Sequence, residues 1–167
     1  MRRYENAHER LVPLLVEVVG AQSYLEFGTG TGETILKVKC PVRIGVDAKV
    51  DCLLPFPSQF LRMTTSDFIR YHTETYAPFD VVFIDADHEA ESVLADFDGI
   101  WPPVSPEGLV LLHDGNPETV ADTAPGYCNN AWEAVRALTG RGKFEMVTLP
   151  YHPGLTIVRK RERWGPR

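Results

Sequence analysis

The chain has little cysteine, no long apolar run and no excess of positive charge, and each shortage removes a class of protein. Its three cysteines, Cys40, Cys52 and Cys128, are far apart and never form a C-x-x-C pair. A disulfide framework or zinc ribbon needs more, so these thiols read as packing residues in a reducing compartment. No stretch approaches the roughly 20 apolar residues that span a bilayer. The beginning, MRRYENAHERLVPLL, turns acidic too soon for a signal segment. A cytoplasmic protein with no membrane partner is the expectation. Lysine and arginine number 17 against 23 aspartates and glutamates, a formal charge of −6. Nucleic-acid binding wants a basic face, which argues against that partner. Internal repeats and low-complexity tracts are also missing. The basic run RKRERWGPR, 159–167, reads as a solvated tail.

What is there suits one globular domain spanning 1–167: 44% hydrophobic and 24% charged residues, enough chain for a single core. An N-terminal helix is expected at about 5–19, with Leu11, Leu14, Leu15, Val18 and Val19 on its inner side and Pro13 disturbing its first part. The core then runs from about 20 to 160. Strand patterns at 22–28, 41–48, 60–67, 79–87 and 108–114 alternate with helical ones at 32–39, 68–72, 89–101 and 130–138. Val93, Leu94 and Phe97 form the inner stripe of the third of these helices. FDVVFIDAD and GLVLLHD are almost wholly apolar, as strands buried on both faces are. The alternation predicts an α/β fold, a Rossmann-like doubly wound, mostly parallel sheet. KFEMVTLP (143–150) and GLTIVRK (154–160) are too close for a parallel crossover, so the terminal strand is antiparallel.

The segment YLEFGTGTGETIL, 24–36, passes from a β-favouring run to three glycines set two apart. Glycines there remove every Cβ from one side of a turn, letting the backbone touch a ligand. Strand, glycine turn and helix together are the layout of a nucleotide-type site. The sequence Glu26-Phe27-Gly28-Thr29-Gly30-Thr31-Gly32 resembles the first motif of class I S-adenosylmethionine-dependent methyltransferases, and differs from G-x-G-x-x-G in its third glycine. Other stations extend the resemblance over about 20–160: Asp47 ending the second strand, Ser66-Asp67 after the third, Phe83–His88 and Leu111–Asp114 at the ends of the fourth and fifth. The last two are similar to a subgroup of O-methyltransferases acting on catechols, caffeoyl-CoA, sugars and macrolides. The resemblance implies S-adenosylmethionine held by Glu26, Phe27, Gly28, Thr29, Gly30, Gly32, Asp47, Ser66, Asp67 and Asp85. Asp47 would bind the ribose hydroxyls and Asp67 the adenine side; Ser66-Asp67 also reads as a helix N-cap. The glycine turn carries no Arg or Lys, as fits a cofactor without a pyrophosphate.

The expected activity is methyl transfer to a small hydroxylated acceptor. An alcohol needs a base or a metal to take its proton. Asp85 and Asp114 end strands expected to be neighbours, about 4.8 Å apart, so their carboxylates can converge. Close like charges call for a proton or cation between them. Hard oxygen donors suit Mg²⁺ or another divalent ion, although Gly115 stands where metal-dependent relatives carry a companion ligand. Asp85, His88, His113 and Asp114 are the candidate catalytic residues; His113 also reads as a strand-end histidine bonded to backbone, and His88 as an exposed helix-start residue. The aperiodic stretch 115–131 is expected to overhang the acceptor through Tyr127, Asn129 and Trp132, with Asn129 or Asn130 capping the following helix. The segment between Asp47 and Phe60, with Pro55 and Pro57, lacks room for a full helix. The competing readings are a catalytically inactive S-adenosylmethionine-binding partner protein and an NAD(P)-dependent oxidoreductase. The second lacks its later glycine and a Tyr-x-x-x-Lys pair. The acceptor's identity and the oligomeric state, a homodimer included, stay open.

Overall fold

Period-two alternation along the strands decides which helices cover which face. The computed structural model describes residues 6–49, 52–55, 58–142 and 144–160; Pro57 and tail residues 161–167 lie outside them. Seven strands form one sheet: β1 (Ser23–Phe27), β2 (Val42–Val46), β3 (Gln59–Leu61), β4 (Phe79–Ile84), β5 (Val104–His113), β6 (Glu145–Leu149) and β7 (Leu155–Arg159). Their spatial order is β3-β2-β1-β4-β5-β7-β6. The first five run parallel, and β7 pairs antiparallel with both β5 and β6. This is the doubly wound, mostly parallel sheet with an antiparallel end that the sequence predicts.

Leu25, Phe27, Val82, Ile84, Val110 and Leu112 point to one face. There they pack under α2 (Thr65–Tyr71), α4 (Ala90–Ile100) and α5 (Ala131–Arg141) through Phe68, Val93, Phe97 and Leu138. Tyr24, Val81, Phe83, Leu109 and Leu111 take the opposite face, under α1 (His8–Val18). A short helix, α3 (Thr73–Tyr76), leads from α2 into β4.

Several boundaries differ from the sequence expectation. The inner line of α1 is Val12 and Val16, with Leu11 and Leu15 beside it, whereas Leu14, Val18 and Val19 are exposed. The face toward the sheet is therefore rotated from the apolar stripe read off the sequence. The helix expected at 32–39 is only a 3-10 turn, Ile35–Lys37. Gly32 has φ 101°, and Pro41 turns the preceding residue away from helix, leaving no room for regular turns. Strand β3 stops at Leu61 because the Thr64 side chain accepts from the Asp67 N–H and opens α2. No helix lies among the described residues between Asp47 and β3, as expected.

Phe97 stacks on Trp101 with ring centroids 5.0 Å apart and meets Phe144 edge-on at 5.5 Å. Its truncation opens a cavity under α4, so Phe97→Ala is expected to lower unfolding free energy by about 3–5 kcal/mol in urea denaturation.

Candidate active site

The register brings the carboxyl ends of four parallel strands to one edge. Phe27 lies opposite Val46 and Ile84, and Ile84 opposite Leu112. Gly28, Asp47, Asp85 and His113, each one residue further on, therefore emerge together. The chain order reverses between β1 and β4, which is where open α/β sheets bind ligands. Gly28 has φ 80°, and a Cβ there would lie 2.0 Å from the Asp85 carbonyl oxygen. Only glycine fits, and its fit brings the glycine turn against the end of β4. The Gly28 N–H donates to Val46 O at 2.9 Å and the Asp85 N–H to Phe27 O at 2.9 Å.

The turn is held by Asp47, whose Oδ2 accepts from the Gly30 N–H at 2.9 Å and whose Oδ1 accepts from the Lys49 N–H at 2.7 Å. Thr29 is buried, its hydroxyl 3.3 Å from Val46 O. Glu26 is 2% exposed and accepts a hydrogen bond from the Tyr24 hydroxyl. Burial pushes the Glu26 carboxyl up to about 8; the Tyr24 bond opposes this and the charge of Asp85 adds to it.

Beyond the turn, two acids and two histidines form one network. His113 Nδ1 lies 3.1 Å from Asp85 Oδ1 and 3.2 Å from Asp114 Oδ1. His88 Nδ1 lies 3.1 Å from Asp114 Oδ2 and 2.5 Å from Tyr127 O, while its Nε2 is 3.6 Å from Asp85. Asp85 and Asp114 thus converge with imidazoles between them. Burial acts to raise the Asp85 carboxyl, but the His113 charge and bonds from both histidines outweigh it and hold it well below the usual range. His113 goes up despite burial because Asp85 and Asp114 hold its proton. Hydrogen bonding to Asp85 raises His88 to about 9 against burial. Asp114 has φ 59°, a left-handed backbone that aspartate tolerates better than most residues.

A third histidine, His8, was not anticipated from the sequence. It stands four residues before Val12 and eight before Val16, on the line of α1 that faces the sheet. Phe83 and His113 share the sheet face that α1 covers; the His8 ring sits 5.9 Å from Phe83 and 4.2 Å from His113. Burial lowers its pKa, and the His113 charge lowers it further.

Two cavities open here. One, of about 390 Å³, is lined by Glu26, Gly28, Thr29, Gly30, Phe83 and Asp85 among others. The second, about 260 Å³, is lined by Asp85, His88, His113, Asp114, Tyr127 and His152 among others. Asn6, His8 and Asp85 border both. Phe27 is buried in the core, and Gly32 packs near Cys52 and Leu36. Ser66 and Asp67 are exposed at the start of α2 and line neither cavity; the Thr64 hydroxyl donates to Asp67 Oδ2 at 2.8 Å. Of the three loop residues expected on the acceptor side, Tyr127 lines the second of these two cavities, and Asn129 and Trp132 line neither. Asn129 instead donates to Glu89 at 2.8 Å, and Trp132 lies under the Arg136 guanidinium. Asn130 accepts from the Ala90 N–H at 2.8 Å, capping α4 and not the helix that follows it. His152, also missed, reaches the second cavity from the turn between β6 and β7.

Residues 42–115 match the family model of a methyltransferase domain. No curated protein sequence matches the chain significantly. Among solved structures, the chain is similar to an O-methyltransferase from Bacillus cereus in complex with SAH, with a TM-score of 0.71 and 15% identity over 94% of this chain and 82% of that one. It is similar to the O-methyltransferase TomG from Streptomyces achromogenes, involved in tomaymycin synthesis and bound to SAM, at TM-score 0.67 and 15% identity over 93% and 80%. MycE from the mycinamycin biosynthetic pathway, in complex with Mg and SAH, gives TM-score 0.59 and 21% identity, covering 83% of this chain and 45% of that one. At such identities the likeness shows the fold.

Glu26 supplies a pH test. Between its ordinary 4.5 and about 8 the unfolded chain releases this proton while the folded chain keeps it, so its contribution to stability falls as pH rises through that window. Glu26→Gln removes this slope and keeps an acceptor for Tyr24. Urea midpoints at pH 5 and pH 8 are expected to show wild type losing stability relative to the variant as pH rises.

Proposed function

This chain has the fold of the class I S-adenosylmethionine-dependent methyltransferases and carries a methyltransferase domain over 42–115, and from that premise we propose that it methylates oxygen on a small hydroxylated acceptor. The observation that carries the reading is the Asp85–His88–His113–Asp114 network standing beside the glycine-turn cavity. Cofactor binding falls to the first cavity. The backbone of Gly28–Gly30 approaches the adenosyl group, Asp47 at the mouth of the turn reaches the ribose hydroxyls, and Glu26 and Asp85 face the sulfonium charge.

The acceptor occupies the second cavity. Its oxygen lone pair attacks the methyl carbon in line; the sulfur–methyl bond breaks, its electron pair stays on sulfur, and S-adenosylhomocysteine leaves. The acceptor's hydroxyl proton passes to His88, the more exposed of the two paired histidines at 35% of its side chain. A base with pKa near 9 is stronger than free imidazole, at the cost of a smaller neutral fraction at pH 7. His113 stays clamped between two carboxylates and keeps them from repelling each other. Asp85 and Asp114 also fit a divalent cation, because they and His88 offer ligand atoms within 4.8 Å of one another. Such an ion would neutralise the developing alkoxide. The presence of Mg in the MycE complex supports this role.

Among the described residues no helix is long and apolar enough to cross a membrane. The three free cysteines support a cytoplasmic location, and the formal charge of −6 supports a small molecule rather than nucleic acid as partner.

Transfer of label from methyl-labelled S-adenosylmethionine to a panel of sugars, polyols and catechols tests the reading. His88→Ala is expected to lower kcat about 10²-fold or more while leaving S-adenosylhomocysteine affinity unchanged, since His88 does not line the first cavity. Tight cofactor binding with transfer to no member of the panel would favour the inactive binding protein.

A further inference from the structure

Two overlapping donor groups share Asp85: Asp85–His88–Asp114, and His8–Asp85–His113. The second brings in His8, which takes no part in the proton transfer, and its chemistry differs. It offers two imidazole nitrogens and one carboxylate oxygen, all within 4.8 Å of one another. Ligands on one first-row ion with bonds near 2.1 Å sit on the order of 3.4 Å apart in a tetrahedron, so modest side-chain adjustment closes the group around an ion. An independent observation points the same way. His8 Nδ1 is buried and among the described residues has no hydrogen-bond partner, and the His113 side chain, whose Nδ1 already faces Asp85, is only 9% exposed. A buried nitrogen left unpaired is costly, and a bound cation would satisfy it. The two rings already meet edge to face at 4.2 Å.

We propose that His8, Asp85 and His113 form a site for a borderline first-row divalent ion, of the Zn²⁺ or Co²⁺ type, in preference to Mg²⁺. Imidazole favours such ions, whereas Mg²⁺ prefers an all-oxygen shell with several waters. The proposal rests on the methyltransferase reading for the ion's use, at the border of the two cavities, but not for its binding. It makes α1 part of the site: its first residue is a ligand, so the helix is anchored to the sheet edge when the ion is bound.

Titration of chelator-treated protein with CoCl₂, followed by visible absorption, tests this without activity. A saturating cobalt band at one ion per chain is expected, displaced by Zn²⁺ and not by millimolar Mg²⁺. His8→Ala should weaken cobalt binding by at least about tenfold, whereas His152→Ala, outside the donor group, should not. His8→Cys should retain binding and add the intense near-ultraviolet band of a cobalt thiolate, an outcome a purely structural His8 cannot give. Three results overturn the proposal: no cobalt band, displacement by Mg²⁺ as readily as by Zn²⁺, or a band insensitive to His8→Ala but lost in Asp114→Ala. S-adenosylhomocysteine calorimetry on the same samples separates the two readings. Cofactor heat without cobalt binding defeats this proposal alone; cobalt binding without cofactor heat defeats the methyltransferase reading alone.

Discussion

The bare Cα of Gly28 against the Asp85 carbonyl is the contact on which the site depends. A methyl group there would lie 2.0 Å from that oxygen, so the glycine turn and the end of β4 could not occupy their present places together. The contact falls where the order of the strands reverses, between β1 and β4. Everything functional is then placed by register. Asp47 follows from the pairing of β1 with β2, while His113 and Asp114 follow from that of β4 with β5.

Charge compensation shapes the second cavity. Asp85 and Asp114 would repel strongly as a bare buried pair. His113 sits between them and His88 bridges from the side, so the network is close to neutral by itself. A divalent ion therefore competes with protons already in place, and the nitrogen atoms that carry those protons become its ligands. The acids set the position of the network, and the histidines set what it can hold.

The mostly parallel sheet, the adjacency of the fourth and fifth strands and the convergence of Asp85 with Asp114 were legible in the sequence because apolar runs and strand alternation are local or nearly local properties. The antiparallel end followed from a connection too short to cross over. What escaped depends on tertiary orientation. Apolar spacing alone gave the stripe of α1 as Leu11, Leu14, Leu15, Val18 and Val19, but the sheet lies under Val12 and Val16, and that rotation is what aims His8 into the site. The helix expected at 32–39 has the right spacing of Ile35 and Val38, yet Gly32 and Pro41 bracket too little chain. Asn130 has the residue type of a cap, but the helix it caps is α4, reached across the fold. Ser66-Asp67 also read as a helix N-cap, but the cap of α2 is Thr64, one turn earlier, whose side chain accepts from the Asp67 N–H.

The central claim is that the crevice between the glycine turn and β4 receives an adenosyl sulfonium and not a dinucleotide. Isothermal titration of the wild-type protein with S-adenosylhomocysteine, run in parallel with NAD, tests it most directly. The account predicts saturable one-to-one heat with the first compound and none with the second. Heat with NAD and none with S-adenosylhomocysteine would contradict it.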